Sequence, residues 1–273
     1  MNLILLAETA AQDAAKKADP TLWETVVDNA LYVLSFFGII VAMFLISFAL
    51  ERANDKKHGL DKKQKFFTTK KIAVIGILSA MAAVLMILDF PIPLIPGDVY
   101  KFDFSELPIM IVSFAYGPAT GVVMEFVKIV IKLLIKGTST AFIGELANFV
   151  VGCSYVIPAA TIYMFNKTKK RAVTACIISI ISITAFSIFF NWLYLIPAFV
   201  RFFSAKFNIP EEAAESSIVG KGTKANSWIV DIKTFILYAT IPFNFLKGLA
   251  ISIITVIVYK PLSRLIKSEG NKR

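Results

Sequence analysis

The sequence predicts an all-α integral membrane protein, and three observations support this fold class. Of the 273 residues, 57% are apolar and 18% are charged, whereas about 25% are charged in an ordinary soluble domain. The mean hydropathy is +0.70. Seven apolar runs follow one another along the chain, separated by polar and basic segments. This composition excludes a soluble enzyme, a disordered chain and a disulfide-stabilised scaffold.

Each apolar run predicts one helix, at residues 29–50, 72–88, 107–116, 119–135, 146–165, 172–200 and 234–259. About 20 residues cross the hydrocarbon core of a bilayer, so the longer uncharged runs are sufficient on their own. The run 107–116 is short, and the run 119–135 carries Glu125, Lys128 and Lys132. These two runs are typical of helices that are buried beside a polar cavity.

The distribution of Lys and Arg predicts the orientation. Seventeen of them lie in the segments 51–71, 166–171 and 260–273, and nine lie in the alternate segments 1–27, 91–106, 136–143 and 201–233. Cytoplasmic loops are enriched in Lys and Arg, so the first set is expected in the cytoplasm and the N-terminus outside. The formal charge of +10 then reflects these loops rather than nucleic-acid binding.

The chain is expected to divide into three parts. Residues 1–66 form an N-terminal extension with one transmembrane anchor and a basic cytoplasmic linker, residues 67–265 form a six-helix core, and residues 266–273 form a cytoplasmic tail. The apolar stretch 1–7 is short and has no preceding basic region, so the anchor is interpreted as retained and not as a cleaved signal.

The sequence lacks the motifs of common catalytic sites. It contains no G-x-x-x-x-G-K-[ST], no H-E-x-x-H and no G-x-S-x-G. Cys153 and Cys176 lie in apolar runs, and His58 has no partner with metal-ligand spacing. We therefore expect neither an enzyme nor a metal site.

Lys247 lies in the middle of the last run, and Asn244 precedes it by three residues on the same helical face. A charge at the bilayer centre costs about 2.5–3.5 kcal/mol unless it faces a cavity or a partner. A ligand cavity is therefore favoured, and a contact that only joins helices is the alternative. On this basis, removal of Lys247 is expected to relieve a costly buried charge.

Asn191 and Asn148 lie toward the outer ends of their runs and, with Asn244, predict an outward-facing polar pocket. For Asn148, a contact between helices is an equally good interpretation. Glu125, Lys128 and Lys132 share one helical face, where they form either an ion pair that holds the bundle together or a pocket wall.

Two further features lie near the start of the core. Gly76 and Ala80 form a small-x-x-x-small pair that permits close contact with another helix, either within the bundle or from a partner. The segment 91–98 contains three prolines and a glycine, so it cannot be helical. It is either a lid over the pocket or a simple connection.

Six motifs, in order, resemble those of one family. The motifs are Phe90-Pro91-Ile92-Pro93, Phe102-Asp103-Phe104-Ser105-Glu106-Leu107-Pro108, Gly117-Pro118, Gly137-Thr138-Ser139-Thr140, Gly144-Glu145-Leu146-Ala147-Asn148-Phe149 and Ile241-Pro242-Phe243-Asn244-Phe245-Leu246-Lys247-Gly248. With these motifs, the sequence over about residues 67–265 is similar to the riboflavin-binding S component of energy-coupling factor (ECF) transporters. The resemblance implies a six-helix S-component core in a bacterial cell membrane, here with one extra N-terminal transmembrane helix.

The resemblance also implies roles and partners. Riboflavin is the transported ligand and no cofactor is expected, while a transmembrane coupling protein and two cytoplasmic ABC-type ATPases supply the energy. The family's pocket residues correspond to Asn191, Asn244 and Lys247, and its coupling contact corresponds to Gly76 and Ala80, with Gly76 in place of the first alanine. The anchor and the long loop 201–233 depart from the family pattern.

The chemistry of a flavin agrees with these residues. The imide edge of the isoalloxazine ring has two carbonyl acceptors and one N–H donor, which asparagine amides and a lysine ammonium complement. The alternatives are FMN, FAD or another vitamin on the same scaffold, an ion-coupled secondary transporter that uses Glu125 and Lys247, and a membrane scaffold whose anchor recruits a partner.

Overall fold

The computed structural model describes residues 30–57, 66–97 and 99–267. These residues form ten α-helices: α1 Ala30–Lys57, α2 Thr69–Ile87, α3 Glu106–Tyr116, α4 Pro118–Lys136, α5 Ile143–Phe165, α6 Lys169–Phe190, α7 Ile196–Phe207, α8 Glu211–Ala225, α9 Ile232–Phe235 and α10 Ile241–Lys267. Residues 1–29, residues 58–65 of the basic linker, which include His58, residue 98 and the tail from residue 268 lie outside the described residues.

The predicted all-α membrane fold is confirmed. Among the described residues, five helical segments are long and apolar enough to cross a membrane: Val33–Lys57, Thr69–Ile87, Ile143–Phe165, Lys169–Phe207 and Ile232–Tyr259. The other two predicted runs, 107–116 and 119–135, form the helices α3 and α4, which the sequence predicted to be buried. Helix α3 has only 11 residues and is mostly buried, and α4 carries three buried or half-buried charged side chains, Glu125, Lys128 and Lys132. Both are shielded by neighbouring helices.

Two of the long helical segments contain a π-helical turn. Helix α6 continues into α7 through the π turn Asn191–Leu195, and α9 continues into α10 through the π turn Ile236–Thr240. A π turn inserts one extra residue into the helix, and such turns are frequent at functional sites. Helices α6 and α10 pack along each other, and their π turns are in contact.

One end of the bundle, here named the closed end, is covered by the loop 88–105 and the hairpin α7–α8. Reciprocal backbone hydrogen bonds of 2.9 and 2.8 Å join Phe90 and Phe102 at the two ends of the loop. Ile95 and Tyr100 are buried in an apolar cluster with residues of α7, α8 and α10. The segment 201–233, predicted as a long loop, is helical over most of its length.

Helix α1, the predicted anchor, packs against α4 and α5. The ring of Phe36 is buried and meets the ring of Phe149 edge-on, with centroids 5.8 Å apart. Farther along α1, the carboxylate of Glu51 accepts the backbone N–H of Ala119 at 2.9 Å in the first turn of α4. A carboxylate is favourable there because the first N–H groups of a helix lack intrahelical partners. The anchor is therefore part of the bundle.

Gly117 makes the contact between α1 and α4 possible. Its φ of 101° lies in the region that favours glycine. A Cβ atom at this position would collide with the carboxylate of Glu51. The Gly117-Pro118 pair therefore ends α3, starts α4 and leaves room for the side chain from α1.

Candidate binding site

A cavity of about 380 Å³ lies beneath the closed end of the bundle. Each described helix except α1 contributes at least one residue to its wall, as does the loop 88–105. Its apolar surface includes the aromatic side chains of Phe199, Phe203, Phe235 and Phe243. Flat aromatic surface combined with a few polar groups is typical of small-molecule sites, whose volumes are about 300–1,000 Å³.

All four predicted ligand residues line this cavity. Asn148 is on α5, Asn191 begins the π turn after α6, and Asn244 and Lys247 are on α10. Asn191 can lie near Asn244 only if α6 and α10 pack together, and these two helices are in contact in the structure. Asn191, Asn244 and Lys247 are buried, whereas Asn148 is half-buried.

Each asparagine uses one amide N–H within its own helix. The Nδ2 atoms of Asn148, Asn191 and Asn244 donate to the carbonyl oxygens four residues earlier, at 2.9, 2.8 and 2.9 Å. This shared bond holds one N–H of each amide against its own helix. The second N–H and the Oδ1 atom of Asn244 have no partner within the described part of the chain, so both groups remain available to a ligand.

Lys247 is held by two carboxylates. Its Nζ atom lies 2.9 Å from Oδ2 of Asp103, in the loop 88–105, and 3.0 Å from Oε2 of Glu106, in the first turn of α3. All three side chains are at least nine-tenths buried. An ammonium group has three N–H donors, so one donor remains for a group in the cavity.

The charged residues of α4 divide between two positions. Lys132 lines the cavity and pairs with Glu145 of α5, which also accepts from the Thr138 hydroxyl at 2.9 Å. Glu125 and Lys128 lie behind the wall, where Lys128 contacts Glu125 at 2.6 Å and Glu106 at 3.3 Å. The structure therefore supports the pocket-wall interpretation for Lys132 and the ion-pair interpretation for Glu125 and Lys128.

Sequence reasoning did not assign Tyr100, Asp103, Glu106 and Glu145 to the site. Tyr100 donates to Oδ1 of Asn191 at 2.6 Å, and Asp103 and Glu106 hold Lys247. Asp103 and Glu106 are adjacent to an apolar run, and a buried lysine requires such partners. The need of the buried Lys247 for carboxylate partners could therefore have identified Asp103 and Glu106 from the sequence.

Gly76 and Ala80 lie away from the cavity, on an exposed face of α2. A Cβ atom at Gly76 would meet nothing within 4 Å. The neighbouring Ile77 and Val84 are 70% and 50% exposed. Among the described residues this face has no intramolecular partner, which disfavours packing inside the bundle as the reason for the small side chains.

Within residues 30–57, 66–97 and 99–267, no three His, Cys, Asp or Glu side chains gather in a way that could hold a metal ion.

The fold and the cavity together define a membrane protein that binds a small molecule within a helical bundle. The chain belongs to the family described as "ECF transporter, substrate-specific component", because the sequence profile of that family matches residues 70–259. It is a transporter component and not an enzyme.

The sequences of two relatives align with most of the chain. It is 27% identical over 201 residues to the riboflavin transporter FmnP of Bacillus subtilis (strain 168), covering 73% of this chain and 95% of the relative. It is 29% identical over 206 residues to the riboflavin transporter RibU of Staphylococcus aureus (strain TCH60), covering 76% of this chain and 97% of the relative. The family match begins in α2, so α1 lies outside it.

A solved structure shows the same fold. It is described as the S component of a bacterial ECF transporter, and it aligns with a TM-score of 0.54 and 28% sequence identity. The alignment covers 72% of this chain and 98% of that one.

Proposed function

We propose that this protein binds riboflavin from outside the cell and mediates its uptake as the substrate-binding subunit of an ECF transporter. The observation that carries the proposal is the convergence of the buried Asn191, Asn244 and Lys247 on one cavity with aromatic walls. The curated relatives that align over most of the chain are described as riboflavin transporters, which supports the same ligand.

The free polar groups match the imide edge of a flavin. Asn244 offers one acceptor and one donor, and Lys247 and Asn191 each offer a donor. A flavin imide presents acceptor, donor and acceptor in one row, so it needs donor, acceptor and donor from the protein. Lys247 and the amide of Asn244 supply that set, and Asn191 adds a further donor. Asn148 and Lys132 are proposed to contact the ribityl hydroxyls.

The size of the cavity favours riboflavin over FAD. A volume of about 380 Å³ is near the lower end of the usual range for small-molecule sites. FAD carries an additional adenine nucleotide, which needs more space.

The energy source and the partner subunits are proposed by analogy with the family. The sequence has no phosphate-binding loop, so we propose that ATP is hydrolysed by two cytoplasmic ABC-type ATPases that act through a transmembrane coupling protein. The exposed Gly76 and Ala80 face of α2 is the proposed contact for that coupling protein. The extension 1–66 and the tail 266–273 are additions to the proposed six-helix core.

Purified protein from cells grown with riboflavin is expected to be yellow and to release a flavin on denaturation. Wild-type protein is expected to quench riboflavin fluorescence on binding, and Asn244→Ala is expected to weaken binding by about 1–3 kcal/mol, the value of two neutral hydrogen bonds. The measurement is a fluorescence titration, with mass spectrometry of the released ligand.

An exposed substitution on another helix, Leu134→Ala, serves as the control and is expected to bind as wild type does. A colourless wild-type protein that leaves riboflavin fluorescence unchanged would contradict the proposal. Uptake by the purified chain alone in liposomes, without ATPases, would instead favour the ion-coupled alternative. That alternative would use Glu125 and Lys247, which are both buried.

We further propose that the closed end faces outside and that the C-terminus is cytoplasmic, as the Lys and Arg distribution indicates. Lys224→Cys, at the closed end, is expected to react with an impermeant maleimide in intact cells. Lys167→Cys, between α5 and α6, is expected to react only after permeabilisation. Both positions are exposed, and the native Cys153 and Cys176 are buried. Labelling of both variants from the same side would refute this orientation.

A further inference from the structure

The hydroxyl group of Tyr100 joins three parts of the molecule. Tyr100 belongs to the loop 88–105, and its Oη atom lies 2.6 Å from Oδ1 of Asn191 and 2.7 Å from Oγ1 of Thr240. Asn191 begins one π turn and Thr240 ends the other. All three side chains are buried. One hydroxyl group therefore connects the covering loop to both irregular turns.

The direction of these hydrogen bonds follows from the available donors. Nδ2 of Asn191 donates to the carbonyl oxygen of Ser187, so its Oδ1 atom faces Tyr100 and accepts. Tyr100 has one hydroxyl proton, which it gives to Asn191, and Thr240 must therefore donate to Tyr100. Burial raises the pKa of Tyr100, so the hydroxyl keeps its proton.

The ring of Tyr100 is also held in place. It stacks on Phe243 of α10, with centroids 4.9 Å apart and an angle of 26° between the rings, and it contacts Phe235 of α9. The hydroxyl group is therefore presented to Asn191 from a fixed position. A buried side chain with a fixed ring and two hydrogen bonds is suited to orient a neighbour.

We propose that Tyr100 is a positioning residue for the ligand: its hydroxyl group binds the oxygen of Asn191 and holds the amide so that its second N–H is presented to the cavity. This inference rests on the proposed function, because the ligand that receives the N–H is taken to be the flavin. Asn191 then donates to a flavin acceptor and cannot turn its oxygen toward it. The loop 88–105 thereby contributes to the choice of ligand through a residue of another helix.

Tyr100→Phe tests this inference, because it keeps the stacked ring and removes only the hydroxyl group. We expect it to weaken riboflavin binding by roughly 3- to 10-fold. In an Asn191→Ala background the same change is expected to alter affinity less than twofold, because Tyr100 acts through Asn191. Thr240→Val, which removes the donor to Tyr100, is expected to give a smaller loss that also disappears in the Asn191→Ala background.

Tyr155→Phe is the matched control. Its hydroxyl group is likewise buried, with partners at 3.0 and 2.7 Å, but Tyr155 does not line the cavity. We expect unchanged riboflavin affinity for this variant. The same cycle of Tyr100→Phe and Asn191→Ala is also measured as melting temperature without ligand, which tests the hydrogen bond itself.

The outcomes separate the two proposals. Equal losses from Tyr100→Phe in both backgrounds would show that Tyr100 contacts the ligand directly, and would overturn the positioning role. Coupled melting temperatures with independent affinities would overturn it as well, since the bond would then be only structural. A wild-type protein that does not bind riboflavin would refute the proposed function, and with it any role of Tyr100 toward a flavin.

Discussion

Lys247→Met is expected to cause the largest loss of any single change in the cavity. It removes the ion-pair partner of the buried Asp103, 2.9 Å away, whereas Glu106, 3.0 Å away, keeps Lys128 at 3.3 Å. Leaving a buried charge without its partner costs about 3–5 kcal/mol of stability. A lost hydrogen bond from a charged donor to the flavin weakens binding by about a further 1.5–3 kcal/mol. The measurements are melting temperature in detergent and riboflavin affinity.

The structure reverses the expectation drawn from the sequence alone. Without its partners, Lys247 is a costly isolated charge whose removal relieves the protein. With Asp103 and Glu106 in place, the lysine compensates buried carboxylates, and its removal leaves Asp103 without its ion-pair partner. The double variant Lys247→Met with Asp103→Asn is therefore expected to recover much of the melting temperature but not the affinity.

Lys101→Met is the matched control, because Lys101 also lines the cavity. Its Nζ atom lies 3.6 Å from Asp89, and its side chain is 49% exposed. Exposed ion pairs contribute about 0–1 kcal/mol, so little change in stability is expected. Normal affinity in both Lys247→Met and the double variant would remove Lys247 from the ligand site and refute the assignment of the pocket.

Ala80→Trp is expected to abolish riboflavin uptake in cells while leaving riboflavin binding by the purified protein unchanged. Ala80 and Gly76 lie one turn apart on an exposed face of α2, and a close contact between helices in a membrane requires small side chains. An indole at this face displaces a partner helix but meets no described part of the bundle. The measurements are uptake of labelled riboflavin, affinity of the purified protein and co-purification of the coupling protein.

Leu134→Trp provides the control for a large side chain at a different surface. Leu134 is on α4 and is 72% exposed, so normal uptake and binding are expected. If Ala80→Trp lowers affinity and uptake together, then α2 packs within the bundle and the coupling role is wrong. If neither changes, the coupling protein contacts another face.

The sequence by itself determined the elements that depend on local pattern. The membrane fold and the positions of the apolar helices follow from the apolar runs, because a span needs a continuous stretch of apolar residues, whereas α8 lies in a segment predicted as a loop. The shared face of Asn244 and Lys247 follows from helical spacing. The cost of a charge in a bilayer was enough to single out Lys247, and the motifs in their order were enough to indicate the family.

Tertiary structure decided which groups meet across the bundle. Tyr100 lies 91 residues before Asn191, and Asp103 lies 144 residues before Lys247. It also decided that Lys132 faces the cavity while Lys128, one turn away, does not, and that Glu51 binds the start of α4. Periodicity shows which face of a helix a residue occupies but not what lies opposite that face. That depends on how the helices pack and on where the π turns and the loop 88–105 place their side chains.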